Sequence, residues 1–463
     1  MQTFSQFKDK KVLIFGLGLN DGGLGMAEFF LNQGSKVTIT DGKTKEELTK
    51  TLEQLKQYES QITYHLGGHI KEDFLENDIV VRNPAIKPDN EWLKIAIDAG
   101  KQIEMEMSLF HQLAPCKIIG VTGTRGKSTT TTLVYEFMKA HFGDRVMLGG
   151  NIGKSAIREL PNLTEDKIVV LELSSFQLDS MGHSQVSSPI AVATNMYVDH
   201  QNWHTDMPDY INAKKNIYRY QDKDGILITN IDNDITKEFV KDSNGKNITF
   251  SLIDKTADYY MDKECLTVYE NGQLLMTIQN LILDGEHNLY NILGAIATVR
   301  TQGVNTNEIQ PVLSIFKGVS GREELVRELN GVKYFNDTTA TSVEAMTAML
   351  NRFGEKYEGK IVMISGGMDK GLDYTSIAPM MKKSLRALIL LEGTASEKIA
   401  ASFGEADNIY KYYNDLGLAL KKASEIATSG DMVILCPGGT SFNMFANEFD
   451  RGEKYVNFVN NLN

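Results

Sequence analysis

The chain has 463 residues, with 48 Lys and Arg against 60 Asp and Glu, so its formal net charge at pH 7 is −12. This acidic balance argues against a nucleic acid as the main partner, although a nucleotide could bind in a local pocket. Three widely separated cysteines, Cys116, Cys265 and Cys436, indicate neither a disulfide framework nor a C-x-x-C metal motif. The opening residues, MQTFSQFKDKK, lack the apolar segment of a signal peptide, and no apolar run approaches the length of about 18 residues that a membrane span needs. We therefore expect a cytoplasmic protein of several domains.

The first part of the chain reads as strand, glycine-rich turn, helix and strand. An apolar run at Val12–Phe15 enters GLGLNDGG, and after a helical pattern a second strand, KVTIT, ends at Asp41. This order is typical of a doubly wound α/β sheet. The turn nearly matches G-x-G-x-x-G, but Asp21 replaces the last glycine. The sequence thus allows either a dinucleotide site, with Asp41 on a ribose, or a tight turn that binds nothing.

The central part begins after HQLAPCK with the strand KIIGVT, a glycine loop and a Thr-rich helix. The loop, VTGTRGKSTTTT, resembles G-x-x-x-x-G-K-[ST], although Val121 stands where the first glycine belongs. Backbone amides at a helix start favour anions, Gly123 and Gly126 would let phosphate approach, and Lys127 would neutralise it. The other interpretation is a surface turn capped by Ser128.

Three further stretches of the central part carry candidate polar residues. ELSSFQL places Glu172 at a strand end, where a carboxylate could hold Mg²⁺ or simply be solvated. YVDHQNWH contains Asp199 and then His200 and His204, which have the i, i+4 spacing of a zinc pair. No Glu follows His200 as in H-E-x-x-H, so a magnesium role for His200 or a structural histidine is favoured over zinc. AKKNI places Lys214 and Lys215 on a predicted helix, where both could be solvated charges.

A second break near IFKGVSGRE precedes another α/β unit. Its apolar strands VKYFN, KIVMIS, ALILL and DMVILC each run into a turn rich in Gly, Thr or Asp. Ligands of such sheets bind beyond the carboxyl ends of the strands, and most of the unusual polar residues of this chain fall there.

In chain order these motifs form one series. It runs TGTRGKST, GNIG (150–153), ELSSFQL, NMYVDHQNWH, YINAKKNIY, GEHNLYN, GRE, FNDTTATS, SGGMDKG and CPGGTSFNMF. The series resembles that of the Mur ligases, and the resemblance covers essentially the whole chain. Within this family it is most similar to the branch that joins D-glutamate to UDP-N-acetylmuramoyl-L-alanine (UDP-MurNAc-L-alanine).

The resemblance implies an ATP- and Mg²⁺-dependent amide ligase of peptidoglycan precursor synthesis, acting through an acyl phosphate. It also implies a cytoplasmic monomer with small-molecule substrates, no nucleic-acid partner and no membrane insertion. The implied fold is α/β with three domains. They are a Rossmann-like domain for the UDP precursor at 1–112, a central P-loop-type ATPase at 113–317, and a Rossmann-like C-terminal domain for the amino acid and nucleotide at 318–463.

Roles for individual residues follow from the resemblance. For ATP it implies Gly123, Thr124, Gly126, Lys127, Ser128, Asn288, Asn291, Arg322 and Asp337. For the reaction centre and its magnesium it implies Lys127, Ser128, Asn151, Glu172, His200 and Lys214, with Lys214 carbamylated. For the UDP precursor it implies Leu17, Asn20, Asp41 and the loop Asn83–Ile86, which includes Pro84, and for D-glutamate Lys370, Ser441 and Phe449.

Two positions depart from the family pattern. Gly321 precedes Arg322 where members often carry His, and Thr339 stands in DTTAT where some carry Lys. Both changes remove a basic group expected near the substrate, which leaves Arg322 and Lys370 for charge neutralisation.

Four alternatives remain open at this point. A sister ligase would add another amino acid, but the D-N-P-R stretch usual in one of them is absent from the sequence. A folylpolyglutamate synthase-like ligase would share the ATPase part. An NAD-dependent dehydrogenase would use the first glycine turn but leaves TGTRGKST unexplained. A nucleotide-binding module without catalysis gives no reason for Glu172, His200 and Lys214 to occur together.

Overall fold

The structure is a computed structural model that describes residues 4–18, 21–152, 155–198, 203–283, 285–369, 371–441 and 443–462. The chain divides into two units, Met1–Ile315 and Phe316–Asn463. The first unit contains two sheets and the second contains one. No helix in the described ranges is long and apolar enough to cross a membrane.

The first sheet is wholly parallel, with strand order β3-β2-β1-β4-β5. Its strands are β1 (Lys11–Phe15), β2 (Lys36–Asp41), β3 (Ile62–Leu66), β4 (Ile79–Arg82) and β5 (Gln102–Glu104). Its helices are α1 (Asp21–Asn32), α2 (Thr49–Gln54), α3 (Lys71–Glu76), α4 (Glu91–Asp98) and α5 (Glu106–Leu113).

Alternate residues of β1 enter two different cores, as expected for a strand covered on both faces. Val12 and Ile14 pack with α1, whereas Leu13 and Phe15 pack with Phe74 and other side chains of α3 and α4. The strand order reverses between β1 and β4, so the crevice of this sheet lies beyond their carboxyl ends.

The second sheet has the order β14-β13-β12-β11-β10-β9-β6-β8-β7 and is parallel from β7 to β12. Its strands are β6 (Lys117–Thr122), β7 (Val146–Gly150), β8 (Ile168–Glu172), β9 (Ile190–Ala193), β10 (Ile226–Asn230), β11 (Lys246–Ser251), β12 (Tyr259–Asp262), β13 (Thr267–Glu270) and β14 (Gln273–Thr277). Its helices are α6 (Lys127–Phe142), α7 (Ser175–His183), α8 (Met207–Lys215), α9 (Phe239–Asp242), α10 (Glu286–Arg300) and α11 (Thr306–Leu313).

The sheet of the second unit has the order β15-β16-β20-β17-β18-β19, and its β15–β16 pair is antiparallel. Its strands are β15 (Glu324–Leu329), β16 (Val332–Asn336), β17 (Ile361–Gly366), β18 (Leu385–Leu391), β19 (Ile409–Tyr413) and β20 (Met432–Gly438). Its helices are α12 (Val343–Phe353), α13 (Ala378–Ser384), α14 (Thr394–Phe403), α15 (Leu416–Ile426) and α16 (Glu448–Asn460). Short 3₁₀ helices occupy Ser5–Phe7, Lys56–Gln61, Gly143–Arg145, Ala156–Asn162, Thr236–Glu238 and Thr375–Ile377.

The prediction of an α/β fold with N-terminal, central and C-terminal domains, each built on a largely parallel sheet, is therefore confirmed. The sequence patterns did not indicate the antiparallel extension β12–β14 or the edge strand β15. Neither of these additions changes the strand ends on which the predicted polar residues lie.

Candidate active site

The glycine loop after β6 has a backbone that only glycine accommodates at two positions. Gly123 has φ 150° and Gly126 has φ 78°. A Cβ on Gly123 would lie 1.9 Å from Thr194 Oγ1, and one on Gly126 would lie 2.1 Å from Asn291 Oδ1. Both glycines are thus required by conformation and by close packing, and the loop can present its amides without intervening side chains.

The loop is held in place by Asn195, which follows β9. Thr124 N donates to Asn195 O (2.8 Å), and Arg125 N donates to Asn195 Oδ1 (2.8 Å). Lys127, the first residue of α6, spans the loop, since its Nζ donates to Thr124 O (3.0 Å). Ser128 is buried beside it. The ammonium group and the start of α6 lie together, an arrangement that favours an anion.

Glu172 ends β8 and is fully buried next to this loop. Its register partner on β6 is Val121, immediately before the loop, and its partner on β7 is Gly150. Asn151 Nδ2 donates to Glu172 Oε1 (2.9 Å), and Asn151 N donates to Glu172 O (2.8 Å). Within the described ranges, Glu172 Oε2 has no hydrogen-bond partner. A buried carboxylate oxygen without a partner is costly, which indicates that a bound cation or donor satisfies it.

Lys214 lies on α8 and is only 1% exposed. Its Nζ donates to Thr122 Oγ1 and to Gly123 O, both at 3.0 Å, and lies 5.5 Å from the centroid of the Tyr210 ring. Lys215 instead contacts Asp242 at the surface. The interpretation of Lys214 as a solvated helix charge is therefore wrong, and the side chain belongs to the glycine loop.

His204 is buried in an aromatic cluster with Phe176, Trp203 and Tyr210. Burial lowers the pKa of His204, while Asp209, whose Oδ2 is 3.4 Å from His204 Nδ1, opposes that shift. This environment suits a neutral, structural histidine. Asp199 and His200 lie outside the described residues, so the zinc pair and the magnesium role of His200 stay predictions.

The residues present fit a hard divalent cation. Glu172 and Ser128 offer oxygen ligands, which Mg²⁺ prefers, and one of these oxygens is the unpartnered Oε2. Across the described ranges there is no group of three or more His, Cys, Asp and Glu side chains placed to hold a metal. A site built from those residues would need further oxygen ligands from a substrate, from water or from residues outside these ranges.

Asn288 and Asn291 occupy the first turns of α10, which packs along α6. Asn291 Nδ2 donates to Asn288 Oδ1 (3.1 Å), and Asn291 Oδ1 accepts from Thr130 Oγ1 (3.4 Å). Both side chains are buried, and that of Asn291 lies against the glycine loop at Gly126. The structure thus brings this predicted pair to the loop.

The predicted precursor residues of the first sheet meet at the crevice. Asp41 Oδ2 accepts from Gly18 N (2.9 Å), and Asn83 Nδ2 donates to Gly16 O (3.2 Å). Leu17 is fully buried, and Pro84 follows Asn83 in the loop after β4. Asn20 lies outside the described residues.

In the second unit, Asp337 follows β16 and is buried. Burial and the nearby carboxylate of Glu323 raise the pKa of Asp337 to about 7, whereas the hydrogen bond from Glu323 N lowers it. That bond, to Asp337 Oδ1, measures 3.2 Å. Near neutral pH the carboxyl group can therefore donate to, or accept from, a hydroxyl group. Arg322 is exposed and close enough to favour the charged form of Asp337.

The two departures from the family pattern contact each other. Thr339 N and Thr339 Oγ1 both donate to Gly321 O, at 3.0 and 2.9 Å. Gly321 has φ 76°, and a Cβ there would lie 2.9 Å from Thr338 Cγ2. The glycine and the threonine thus form one local unit, held by a backbone and a side-chain hydrogen bond to the same carbonyl oxygen.

Ser441 lies beyond β20 and is 2% exposed. In the described part of the chain, its Oγ has no hydrogen-bond partner. Phe449, the second residue of α16, is half exposed. Lys370, predicted beside them, lies outside the described residues.

Two contributors were missed by the sequence reasoning. Asn195 braces the glycine loop, and Arg82, at the end of β4, donates to Ile86 O and Asp179 Oδ2, both at 2.7 Å. Each follows or ends a strand, so the rule about strand ends could have found them. Asp179 and the glycine loop, however, lie far from Arg82 and Asn195 in sequence, and only Ile86 is a near neighbour of Arg82.

Family models match three consecutive parts of the chain. They are the MurD-like N-terminal domain of Mur ligases at residues 10–104, the Mur ligase middle domain at 121–299 and the glutamate ligase domain of Mur ligases at 321–439.

Relatives with curated names are similar over the full length. UDP-N-acetylmuramoylalanine–D-glutamate ligase of Roseiflexus sp. is 37% identical, covering 98% of this chain and 99% of its own. The ligase of the same name from Acetivibrio thermocellus is 36% identical, covering 99% and 97%, and that of Borreliella burgdorferi is 36% identical, covering 99% of each.

Solved structures share the fold. UDP-N-acetylmuramate-alanine ligase MurC of Thermotoga maritima aligns with a TM-score of 0.60 at 19% identity, over 97% of this chain and 99% of its own. MurF ligase of T. maritima in complex with ADP aligns with a TM-score of 0.52 at 16% identity, over 99% and 98%. With the domain matches and the full-length relatives, the buried glycine loop, Glu172 and Lys214 leave one conclusion: this chain belongs to the Mur ligase family.

Proposed function

We propose that this chain is an ATP-dependent ligase that joins D-glutamate to UDP-MurNAc-L-alanine in peptidoglycan precursor synthesis. Relatives bearing that name are 34–37% identical over nearly the whole chain, which supports the choice of substrates. The observation that carries the reaction class is Glu172, a buried carboxylate beside a phosphate-type loop, one oxygen of which has no hydrogen-bond partner among the described residues.

The chemistry proceeds in two steps. A carboxylate oxygen of the L-alanine end attacks the γ-phosphorus of ATP, the bond from that phosphorus to the β–γ bridging oxygen breaks, and ADP leaves. The amine of D-glutamate then attacks the acyl carbon, the carbon–oxygen bond to phosphate breaks, phosphate leaves and the nitrogen loses a proton. ATP is needed because the oxygen of a free carboxylate is a poor leaving group.

The glycine loop supplies positioning and charge. Gly123 and Gly126 would present their amides to the phosphates, and Lys127 would neutralise charge that develops on the transferred phosphoryl group. Thr124, whose own amide donates to Asn195 O, would line the phosphate site between them. Lys127 is already held over the loop by its bond to Thr124 O. Little rearrangement is then needed when ATP binds.

Glu172 and Ser128, with His200 and a carbamylated Lys214, would hold magnesium. When bound, Mg²⁺ supplies charge stabilisation to the phosphate oxygens and to the substrate carboxylate. Addition of CO₂ to the Lys214 amine would release a proton and leave a carbamate, whose nitrogen keeps one hydrogen. That hydrogen can still donate to Thr122 Oγ1 or to Gly123 O, the two acceptors that the amine contacts in the structure.

The remaining predicted residues keep their proposed partners. For ATP, Asn288 and Asn291 would face adenine, Asp337 would bond to the ribose, and Arg322 would contact a phosphate. The UDP precursor would contact Leu17, Asn20, Asp41, Asn83 and Pro84. D-glutamate would contact Lys370, Ser441 and Phe449. The buried hydroxyl of Ser441, which has no hydrogen-bond partner among the described residues, supports the last assignment, because a substrate carboxylate would satisfy it.

Domain limits, state of association and compartment are also proposed. We place the domains at 1–112, 113–317 and 318–463, in a monomer that acts in the cytoplasm. Size-exclusion chromatography coupled to light scattering would test the association state, and we expect the monomer mass of 51.7 kDa.

A phosphate-release assay tests the proposed function. Full-length protein, ATP, Mg²⁺ and UDP-MurNAc-L-alanine are combined with D-glutamate, L-glutamate, L-lysine or diaminopimelate, and Glu172→Gln serves as the inactive control. Of the four amino acids, we expect only D-glutamate to support phosphate release. Release with another amino acid would identify a sister ligase. In a parallel reaction, a folate substrate replaces UDP-MurNAc-L-alanine, and release there with L-glutamate would identify a folylpolyglutamate synthase-like enzyme.

A further inference from the structure

The guanidinium group of Arg82, at the end of β4, bonds to two different parts of the first unit. Its side chain is only 2% exposed. Its Nη1 donates to Ile86 O and its Nη2 donates to Asp179 Oδ2, both at 2.7 Å. Ile86 closes the loop after β4, whereas Asp179 lies on α7, a helix of the second sheet. One buried side chain therefore connects a loop of the first sheet to a helix of the second.

The loop Asn83–Ile86 forms a closed turn at the precursor crevice. Ile86 N donates to Asn83 O (2.9 Å), and Ala85 N donates to Asn83 Oδ1 (3.0 Å). The loop also contacts the glycine turn after β1, because Asn83 Nδ2 donates to Gly16 O (3.2 Å). A Cβ on Gly16 would lie 2.9 Å from Asn83 Cβ and 3.2 Å from Ile86 Cδ1. The position of Ile86, to which Arg82 bonds, therefore decides how the loop lies against the glycine turn.

The acceptor of Arg82 on α7 is itself fixed. A capping box between Ser174 and Gln177 closes the first turn of this helix. Asn216 Nδ2, beyond α8, donates to Leu178 O (3.0 Å), immediately before Asp179. A guanidinium group holds its donors in a rigid, planar fork, so a fixed carboxylate on one side sets the place of a carbonyl bonded on the other.

Stability alone gives little reason for a charge at the end of β4. The other residues of this strand, Ile79, Val80 and Val81, are apolar and buried. A buried guanidinium group is costly unless it is paired and hydrogen-bonded, and an apolar side chain could fill the same space without that cost. An apolar side chain could not bond to the loop and to α7 at once, which is the geometry that Arg82 provides.

We propose that Arg82 is a positioning residue for the UDP precursor, which holds the loop Asn83–Ile86 against the glycine turn, and that Asp179 orients Arg82 for this role. Neither side chain touches the precursor in this role. The inference rests on the proposed function only in taking that loop as part of the precursor site. Loss of a hydrogen bond from a charged group to the loop should weaken precursor binding about tenfold.

Isothermal titration calorimetry on the full chain measures the binding of UDP-MurNAc-L-alanine. Arg82→Met should raise the Kd for this precursor about tenfold, while the Kd for a non-hydrolysable ATP analogue stays within about twofold of wild type. Arg82→Lys should raise the precursor Kd about threefold, because one ammonium group cannot reproduce the fork that bonds to both acceptors. Arg82→Lys also replaces Arg82→Met throughout if the latter does not fold.

Arg300→Met is the matched control. Arg300 Nη1 also donates to the carbonyl oxygen four residues later, Val304 O (3.1 Å), and its Nη2 also donates to a carboxylate, Glu270 Oε2 (3.0 Å). These residues lie on or next to α10 and β13 of the second sheet. Arg300→Met should therefore lose the same kinds of bond and yet bind the precursor with the Kd of wild type.

A double-mutant cycle tests whether Asp179 acts through Arg82. Asp179→Ala should raise the precursor Kd about threefold in the wild-type background and leave it within about 1.5-fold in the Arg82→Met background, where no guanidinium group remains to be oriented. Asp179→Asn, which keeps an acceptor oxygen, should stay within about twofold of wild type.

The same variants are assayed for phosphate release. Arg82→Met should raise the KM for UDP-MurNAc-L-alanine about tenfold and leave the KM values for ATP and D-glutamate unchanged, a split that loss of stability alone would not produce.

Equal precursor affinity in the folded Arg82 variant and in Arg300→Met, or an equal effect of Asp179→Ala in both backgrounds, would overturn the inference and leave the proposed function intact. The expected pattern of precursor binding without ligation of D-glutamate would support the inference and overturn the proposed reaction. A wild type that binds no UDP-MurNAc-L-alanine would overturn both.

Discussion

Gly126→Ala should destabilise the chain far more than an ordinary glycine substitution in a left-handed turn. Gly126 caps α6 with φ 78°, and the added Cβ would lie 2.1 Å from Asn291 Oδ1. Since Asn291 is buried on α10, its side chain has to leave its present position. Two costs therefore add at one site.

The magnitude follows from the contacts. Left-handed backbone costs a residue with a Cβ about 1 kcal/mol relative to glycine. Moving Asn291 also breaks its bond to Asn288 Oδ1 (3.1 Å) and the bond from Thr130 Oγ1 (3.4 Å), each of which contributes about 1 kcal/mol. The expected loss in the free energy of unfolding is about 3 kcal/mol.

Gly303→Ala provides the matched control. Gly303 follows α10, the helix that carries Asn291, and has φ 85°, but a Cβ there would meet no described atom within 4 Å. It should lose only the backbone contribution, about 1 kcal/mol.

Urea denaturation of wild type, both single variants and Gly126→Ala in an Asn291→Ala background would measure the difference. In that background Gly126→Ala should cost only about 1 kcal/mol. Equal losses for Gly126→Ala and Gly303→Ala, or an unchanged loss in the Asn291→Ala background, would refute the reasoning.

Three further predictions concern activity. Lys127→Ala should lower turnover at least about a hundredfold, because a preorganised charge contact with the phosphates is lost; near-normal phosphate release by the folded variant would remove Lys127 from the mechanism. Lys214→Ala should be nearly inactive and partly restored by acetate or formate, while Lys215→Ala stays active; rescue by small alkylamines in place of carboxylates would show that Lys214 acts as a cation. Ser441→Ala should raise the KM for D-glutamate about tenfold with little change in urea stability, since its hydroxyl has no described protein partner. Ser365→Ala, which loses a bond to Pro437 O (2.8 Å), should show the opposite pattern.

The sequence by itself determined the strands and the chemistry at their ends. An apolar run bounded by Gly, Thr or Asp forms a strand and a turn through local preferences, so β1, β6, β8 and β20 and the loop around Gly123 and Gly126 could be predicted. The short spacing of Gly, Lys and Ser likewise fixes which residues can meet at the start of α6. The resemblance then gave roles to residues that spacing alone left open.

Only the tertiary structure decided which of these residues have partners. The side-chain amide of Asn151, after β7, donates to Glu172 at the end of the adjacent strand β8. Asn195 accepts from Arg125 in the glycine loop, 70 residues earlier, and the Lys214 ammonium group donates to the carbonyl of Gly123, 91 residues earlier. Such contacts depend on strand order and register, which local preference does not encode, because pairing energy is gained only after distant segments have been brought together. For the same reason nothing in the local sequence around Glu106 or Ser155 indicated that their side chains form a hydrogen bond. Nor did the sequence around Gly321 and Thr339 indicate that Thr339 donates two hydrogen bonds to the carbonyl oxygen of Gly321.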